Sequence, residues 1–184
     1  MKISFFVELY DDMIGESFNI RDYLACRLCI FVQQNGEKNE VCNSTFHDAL
    51  LLGMGDILLE LKENNTSFSK VIETFENAMK YTLKKTGNLL NIKAYSEYDG
   101  TTEIVFQGEF EDFLIAFFKE YERYFKGILQ KDSNTIQHKS VEMMERQLKV
   151  YKALEKESAF LFIIFPDASL LPTKLVNYSV ASVK

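Results

Sequence analysis

The 184-residue sequence lacks a long apolar run, a basic leader followed by an apolar segment, and an even set of cysteines. Its longest unbroken apolar run, residues 159–165, is far shorter than the roughly 20 residues of a membrane-spanning helix. Three cysteines without a secretion signal are typical of a reducing compartment and do not suggest a disulfide framework. We therefore expect a soluble cytoplasmic protein without a membrane partner.

Sequence motifs of catalysis and nucleotide binding are also missing. The sequence has no P-loop, no G-x-G-x-x-G, no G-x-S-x-G and no H-E-x-x-H pattern. It has two histidines, His47 near a predicted helix start and His138 in a polar linker, and for both we expect surface or capping roles. These absences lower the expectation of an enzyme, and we predict no catalytic residue and no cofactor.

One set of side chains has the spacing of a zinc site. Cys26, Cys29, Cys42 and His47 follow the pattern C-x2-C-x12-C-x4-H. Residues i and i+3 of a strand point to opposite faces, however, so Cys26 and Cys29 would not converge on one metal. We predict no metal site and cysteines that act as small apolar side chains. A redox pair of Cys29 and Cys42 stays open as the alternative.

Acidic residues outnumber basic ones, for a net charge of −6, and the excess lies early in the chain. Residues 1–60 carry ten acids and four bases, whereas residues 119–184 carry eight acids and eleven bases. Nucleic acid is bound by clustered Lys and Arg, and the basic residues of the tail are instead interleaved with Glu. Direct binding of nucleic acid is therefore disfavoured.

Basic residues are also absent between Lys93 and Lys119, although this stretch contains many acids. The acids fall on a predicted hairpin tip and a helix start, where they can serve solubility and the helix dipole. They could instead form a negative patch that steers a basic partner. The residues that we predict to bind such a partner are Glu97, Asp99, Glu109, Glu111 and Asp112 first, and Asp11 and Asp12 second.

The clearest periodic pattern is helical and aromatic, and it covers residues 108–127. Acids in its first turn and bases in its last suit the helix dipole, and Gly127 is the expected stop. The pattern predicts a core helix whose aromatic face packs against a sheet. The apolar residues at helical spacing are Phe110, Phe113, Leu114, Phe117, Tyr121, Tyr124 and Phe125.

Alternating apolar residues predict strands over residues 1–10 and 23–33. Asn35-Gly36 favours a two-residue type I′ turn into a third strand over 37–43. The register that this turn sets pairs Ile30 with Val41 and Cys29 with Cys42.

A second hairpin is predicted by strands over residues 89–97 and 101–107, joined through Asp99-Gly100. Its inward-facing residues are expected to be Leu90, Ile92, Ala94, Ile104 and Phe106.

Helical spacing predicts further helices over residues 45–64, 67–87 and 140–157. Gly53 and Gly55 leave open a kink or break in the first of them. Residues 159–165 form a strand-like run, and residues 166–184 could pack as a C-terminal arm. The element order predicts one α+β domain over residues 1–184, with an antiparallel sheet built from hairpins and helices packed on one face.

With its acidic charge, α+β order, many phenylalanines and lack of catalytic motifs, the whole chain resembles the small bacterial immunity proteins, which neutralise a toxin domain by binding it. The resemblance implies a non-enzymatic cytoplasmic protein with a basic protein partner, namely a toxin domain. Two alternatives stay open. One is a small-ligand-binding protein or enzyme with a pocket between sheet and helices, and the other is a structural subunit that buries an edge strand in an oligomer.

Overall fold

The computed structural model describes residues 1–64, 68–74 and 78–164, with side chains described as far as residue 156. The chain divides into two units, Met1–Leu148 and Lys149–Lys184. In the described part of the chain, no helix is long and apolar enough to cross a membrane. The expected arm over residues 166–184 lies outside the described residues.

The described residues form two antiparallel sheets from consecutive strands. The first sheet has three strands in the order β1-β2-β3, which are Lys2–Glu8, Arg27–Gln34 and Glu37–Ser44. The second has four strands in the order β4-β5-β6-β7, which are Phe68–Glu73, Met79–Thr86, Leu89–Ser96 and Thr102–Glu109. Within each sheet every strand pairs antiparallel with the next along the chain.

Four α-helices and two 3-10 helices complete the described elements. The α-helices are α1 Ile20–Ala25, α2 His47–Glu63, α3 Phe110–Lys131 and α4 Lys139–Ile164. The 3-10 helices cover Asp11–Met13 and Ser133–Gln137. The predicted α+β class is therefore confirmed.

Helix α3 supplies the aromatic core that its periodicity predicts. Its seven predicted face residues are all buried, and Phe117 is completely inaccessible. The ring of Phe117 lies 5.5 Å from that of Phe5 on β1, and the ring of Phe113 lies 4.8 Å from that of Phe106 on β7. One helix face thus covers strands of both sheets, and aromatic burial of this kind dominates the stability of a core.

The predicted stop at Gly127 is wrong, because α3 continues to Lys131. Ile128 follows the glycine and is buried, so continuing the helix places another apolar side chain in the core. A glycine inside a helix costs only about 1 kcal/mol relative to alanine, and apolar burial offsets such a cost.

The edge of β1 is also engaged by α3. The backbone N–H of Phe5 donates a hydrogen bond of 3.1 Å to the carboxylate of Glu120, which also accepts from Arg123. Glu120 is a buried acid, and this contact gives it a partner while it satisfies an edge N–H.

The helix predicted over residues 67–87 is wrong, since the described part of this stretch forms β4 and β5. Strand alternation buries Tyr81 and Leu83 and exposes Val71, which helical spacing had placed on the buried face. Gly87, at φ 59°, lies in the turn into β6, and Gly87-Asn88 is a hairpin signal that the helical pattern obscured. The predicted start at Ser67 and the apolar position Phe75 lie outside the described residues.

The Asn35-Gly36 turn is confirmed, with φ values of 54° and 87° and Gln34 opposite Glu37. A β-bulge between Ile30 and Phe31 then shifts the register, so that Ile30 faces Cys42 and Cys29 faces Asn43. The predicted pairs of Ile30 with Val41 and of Cys29 with Cys42 are therefore wrong.

A second register shift, between Ile92 and Lys93, corrects the predicted inner face of the β6–β7 hairpin. Leu90, Ile92, Ala94 and Phe106 are buried as predicted, but Ile104 is 58% exposed because the shift turns it outward. The Asp99-Gly100 hairpin exists, although only Gly100 of that dipeptide has a positive φ.

Three further boundaries differ from prediction. Residues 20–25 are the helix α1 and β2 begins at Arg27, because the Asn19 side chain caps α1 by accepting from the N–H of Arg21 at 2.9 Å. Helix α2 is unbroken at its two glycines. Gly55 instead allows α4 to approach closely, since a Cβ at this position would lie only 2.6 Å from the side-chain amide oxygen of Gln147. Residues 159–164, predicted as a strand, continue α4.

Replacing Phe117 by alanine should lower the free energy of unfolding by about 3–5 kcal/mol, because a fully buried ring leaves a cavity. Chemical denaturation measures the change. Ile115→Ala is the matched control on the same helix, since Ile115 is 51% exposed and should change stability little. Equal unfolding midpoints for the two variants would contradict the central role of this helix face.

The three cysteines should resist thiol reagents in the folded protein. All three are buried and free, and burial raises the pKa of each thiol, that of Cys29 to about 11. A chromogenic disulfide reagent should therefore react slowly at pH 8 and modify three thiols promptly after denaturation. Rapid modification of the native protein would show that these side chains are accessible.

Candidate functional site

A cleft of about 730 Å³ lies along the segment between β1 and β2. We call this segment, residues 9–25, the β1–β2 connection; it contains the first 3-10 helix and α1. The last residue of α3, Lys131, closes the cleft from the other side. Long connections on a rigid scaffold are common positions for binding residues.

Local contacts within the β1–β2 connection, and with Cys26 at its end, order this segment. The Tyr10 hydroxyl donates to the Ala25 carbonyl at 3.4 Å, and the Cys26 thiol donates to the Asp22 carbonyl at 3.4 Å. The Cys26 sulfur also lies 3.4 Å from the Met13 sulfur. Gly15 has φ 91°, a conformation that favours glycine and allows the chain to turn between the 3-10 helix and α1.

The cleft contains an aromatic pair that holds a cation. The rings of Phe18 and Tyr23 lie 5.3 Å apart, and the Lys131 ammonium lies 5.1 Å and 4.4 Å from their centroids. Both distances fall within the range of a cation–π contact. This part of the cleft therefore already accommodates an alkylammonium group.

Carboxylates surround the same cleft. Asp12, Glu16 and Asp22 line it, and Asp11 lines an adjoining hollow of about 550 Å³ next to Arg27. All four acids are exposed, and none of them forms an ion pair with another residue that the structure describes. The cleft consequently carries a local excess of negative charge.

Apolar side chains are exposed on the same connection. Leu9 and Tyr10 line the cleft, and Ile14 follows the 3-10 helix with 70% of its surface exposed. Apolar side chains beside unpaired carboxylates form the mixed surface that protein partners use.

Beneath the cleft, Tyr23, Tyr124 and His47 form a connected polar group. The rings of the two tyrosines stack with their centroids 6.2 Å apart, and the centroid of the His47 ring lies 5.3 Å from that of Tyr23 in an edge-to-face contact. The His47 Nδ1–H donates to the Cys26 carbonyl at 3.0 Å, and the Tyr124 hydroxyl donates to His47 Nε2. This arrangement satisfies both ring nitrogens of a neutral histidine.

The surface or capping role expected for His47 is wrong, because its side chain is fully buried. Burial lowers its pKa to about 4, and the Cys26 carbonyl opposes this shift only in part. His138 immediately precedes α4, where its carbonyl accepts from the N–H of Glu142 at 3.0 Å.

The five acids predicted first as partner-binding residues fall into two groups on opposite ends of β7. Glu97 and Asp99 lie in the β6–β7 loop, and the other three, Glu109, Glu111 and Asp112, lie where β7 passes into α3. The eight residues of β7 separate the groups by roughly 25 Å at the rise of an extended strand.

Two of these five acids have basic partners. Glu97 accepts from Lys80 at 2.6 Å, and Glu111 accepts from Lys62 at 2.9 and 2.8 Å. Asp99 accepts from the backbone N–H and the hydroxyl of Thr101, which orders the loop. The second set, Asp11 and Asp12, instead lies at the cleft.

Among the described residues, no group of three or more His, Cys, Asp or Glu side chains is placed to hold a metal ion. Cys26 precedes β2 while Cys29 lies within it, and His47 uses both ring nitrogens in hydrogen bonds.

Sequence reasoning missed Phe18, Tyr23 and Lys131, because the cleft joins a connection early in the chain to the end of a helix more than a hundred residues later. One local signal was present. The β1–β2 connection is long and mixes acids with apolar residues, whereas the β2–β3 connection has only two residues.

Comparison with protein-family models, with curated proteins and with solved structures finds no match.

The stability of the protein should depend on His47 in acid. A histidine with a folded pKa of about 4 and an unfolded pKa near 6.5 binds its proton more tightly when unfolded. Its contribution to the free energy of unfolding is therefore complete above pH 6.5 and falls, by about 3 kcal/mol, as the pH drops toward 4.

Denaturant unfolding between pH 7 and pH 4 tests this dependence in the wild type and in two variants. His47→Gln should flatten the pH dependence, whereas His138→Gln should retain it. An NMR titration in which the His47 ring protonates near pH 6.5 would contradict the assignment.

Proposed function

We propose that this protein is an acidic, non-enzymatic binding module that holds a basic protein partner in the cleft of the β1–β2 connection. One observation carries the proposal: exposed apolar side chains and unpaired carboxylates surround the same cleft. Apolar contacts supply affinity at a protein interface, and an electrostatic field of one sign selects the partner and speeds encounter.

The class of partner that we propose is a toxin domain that attacks nucleic acid. Such a domain needs a cationic surface for its substrate, so an acidic protein can occupy that surface and block it. The net charge of −6 also attracts a cationic partner at long range.

The acids in the β6–β7 loop and where β7 passes into α3 are an alternative binding surface for the same basic partner. Glu111 and Glu97 are already paired with lysines, so a partner would have to displace an internal cation to use them. At the cleft, no described ion pair has to break before Asp11 or Asp12 meets a basic partner. We therefore place Asp11 and Asp12 ahead of Glu97, Asp99, Glu109, Glu111 and Asp112.

Reversing two charges at the cleft should weaken binding of the partner. The tagged wild-type protein captures partners from source-cell lysate, mass spectrometry identifies them, and the purified partner is then titrated. Asp11→Lys with Asp12→Lys should slow association about tenfold or more at low salt, because the steering field is lost. Rising salt should slow the wild type in the same way.

The matched control is Glu37→Lys with Glu103→Lys, which changes net charge equally. Both residues are exposed, and Glu37 borders the β2–β3 turn, at the far end of the three-stranded sheet from the cleft. The proposal also requires that the partner be basic and that its toxic activity stop when one equivalent of this protein is bound. Failure to capture a basic partner, binding indifferent to salt and to the Asp11→Lys with Asp12→Lys variant, or an equal loss in the control variant would contradict it.

A small-ligand site is the second candidate, and one observation favours it. Tyr23 lines the cleft and stacks on Tyr124, which donates to the buried His47, and the cleft volume falls within the range of small-molecule sites. A small molecule that raises the melting temperature of the wild type but not of Tyr23→Phe would favour this candidate over the binding module.

A further inference from the structure

The contact between Lys131 and the aromatic pair has a feature that the proposed function does not explain. Lys131 is the last residue of α3, and its ammonium rests on the faces of Phe18 and Tyr23 inside an otherwise acidic cleft. A lysine at a helix C-terminus is already favoured by the helix dipole and needs no aromatic contact. The stability of α3 therefore does not explain why an aromatic pair contacts this cation.

Charge in the cleft is not balanced by Lys131. Three lining carboxylates, those of Asp12, Glu16 and Asp22, face one lining ammonium. A second cation that enters the cleft therefore meets a net negative field even while Lys131 is present. The charge alone favours cationic occupants over neutral or anionic ones.

Space and mobility allow an exchange. The cleft, about 730 Å³, is much larger than one lysine side chain, and Lys131 is itself exposed at its rim. Its four-carbon stem is flexible, and a cation–π contact at an exposed site is weak. An incoming lysine or arginine can therefore take the aromatic faces while Lys131 moves toward solvent.

We infer that Phe18 and Tyr23, with Asp12, Glu16 and Asp22, form a recognition site for one lysine or arginine side chain of the protein partner, and that Lys131 occupies this site until the partner displaces it. The inference rests on the proposed function, since it names the group by which that partner is recognised. Lys131 accordingly acts as an internal competitor that lowers the apparent affinity of every incoming cation. Only a partner that makes further contacts outside the site then binds tightly.

Removal of the competitor gives the direct test, and it needs no partner protein. The probes are N-acetyl-lysine methylamide and N-acetyl-arginine methylamide, titrated against the full chain while NMR follows the ring signals of Phe18 and Tyr23. The uncharged analogue N-acetyl-norleucine methylamide reports apolar binding alone. Lys131→Met should bind both cationic probes at least several-fold more tightly than the wild type, and the uncharged analogue should not gain.

Lys119→Met is the matched control, because it removes the same charge from an exposed position of the same helix. Its position is about 18 Å from Lys131 along the helix axis, so it changes the distant field without opening the site. In the Lys131→Met background, Phe18→Leu should abolish the gain and Asp22→Asn should reduce it. Circular dichroism confirms that each variant is folded.

The outcomes separate this inference from the proposed function. Probe affinity equal in Lys131→Met and Lys119→Met, or unchanged by Phe18→Leu, would overturn the recognition site even where a basic partner still binds through Asp11 and Asp12. Tighter probe binding in Lys131→Met with no basic partner captured would support a cation site and contradict the toxin-binding function. An equal gain for the uncharged analogue would overturn the inference, since an apolar groove would explain it.

Discussion

The fold depends on burial of the aromatic face of α3, and strands of both sheets pack against this face. Phe5 of β1 packs on Phe117, and Phe106 of β7 packs on Phe113. Further along the same face, Tyr121 contacts Gln147 of α4 and Tyr124 contacts His47 of α2, so that helices complete the cover. The packing of α3 on β1 also brings Glu120 to the edge of that strand and so uses a backbone donor that would otherwise be open to pairing.

The position of the cleft follows from that packing. Helix α3 runs past β1 until its C-terminal turn reaches the β1–β2 connection, where Lys131 meets Phe18 and Tyr23. Tyr124, about two helical turns before Lys131, stacks on Tyr23 of the connection and donates a hydrogen bond to His47 at the start of α2. The core helix therefore shapes the candidate site, and extension of α3 past Gly127 is a condition for it.

Local chemistry made much of the fold predictable. Asn35-Gly36 set the first hairpin and the seven aromatic and apolar positions of α3 set the core, because turn dihedrals and a helical period are properties of short segments. The β-bulge after Ile30 was not predictable, since no glycine or proline marks it, and one inserted residue was enough to separate Cys29 from Cys42. The β4–β5 hairpin was mistaken for a helix because Val71 and Ile72 fit a helical face, whereas pairing with β5 makes β4 a strand that buries Ile72 and exposes Val71.

The candidate site was predictable only in part. Asp11 and Asp12 were identified from charge, although as the second set, since exposure and pairing with Lys62 or Lys80 are invisible in a sequence. His47 has an ordinary polar context along the chain, and its burial follows from contacts with Cys26 and Tyr124. The aromatic pair that holds Lys131 depends on two distant segments meeting, which no local pattern encodes.

Hydrogen–deuterium exchange on the complex with the captured basic partner would show whether the partner binds in the cleft, because it maps the covered surface without any substitution. Binding of the partner in the cleft should slow exchange in the β1–β2 connection, residues 9–25, and in the last turn of α3, while residues 97–112 exchange as in the free protein. Protection confined to residues 97–112, with the β1–β2 connection unchanged, would contradict it.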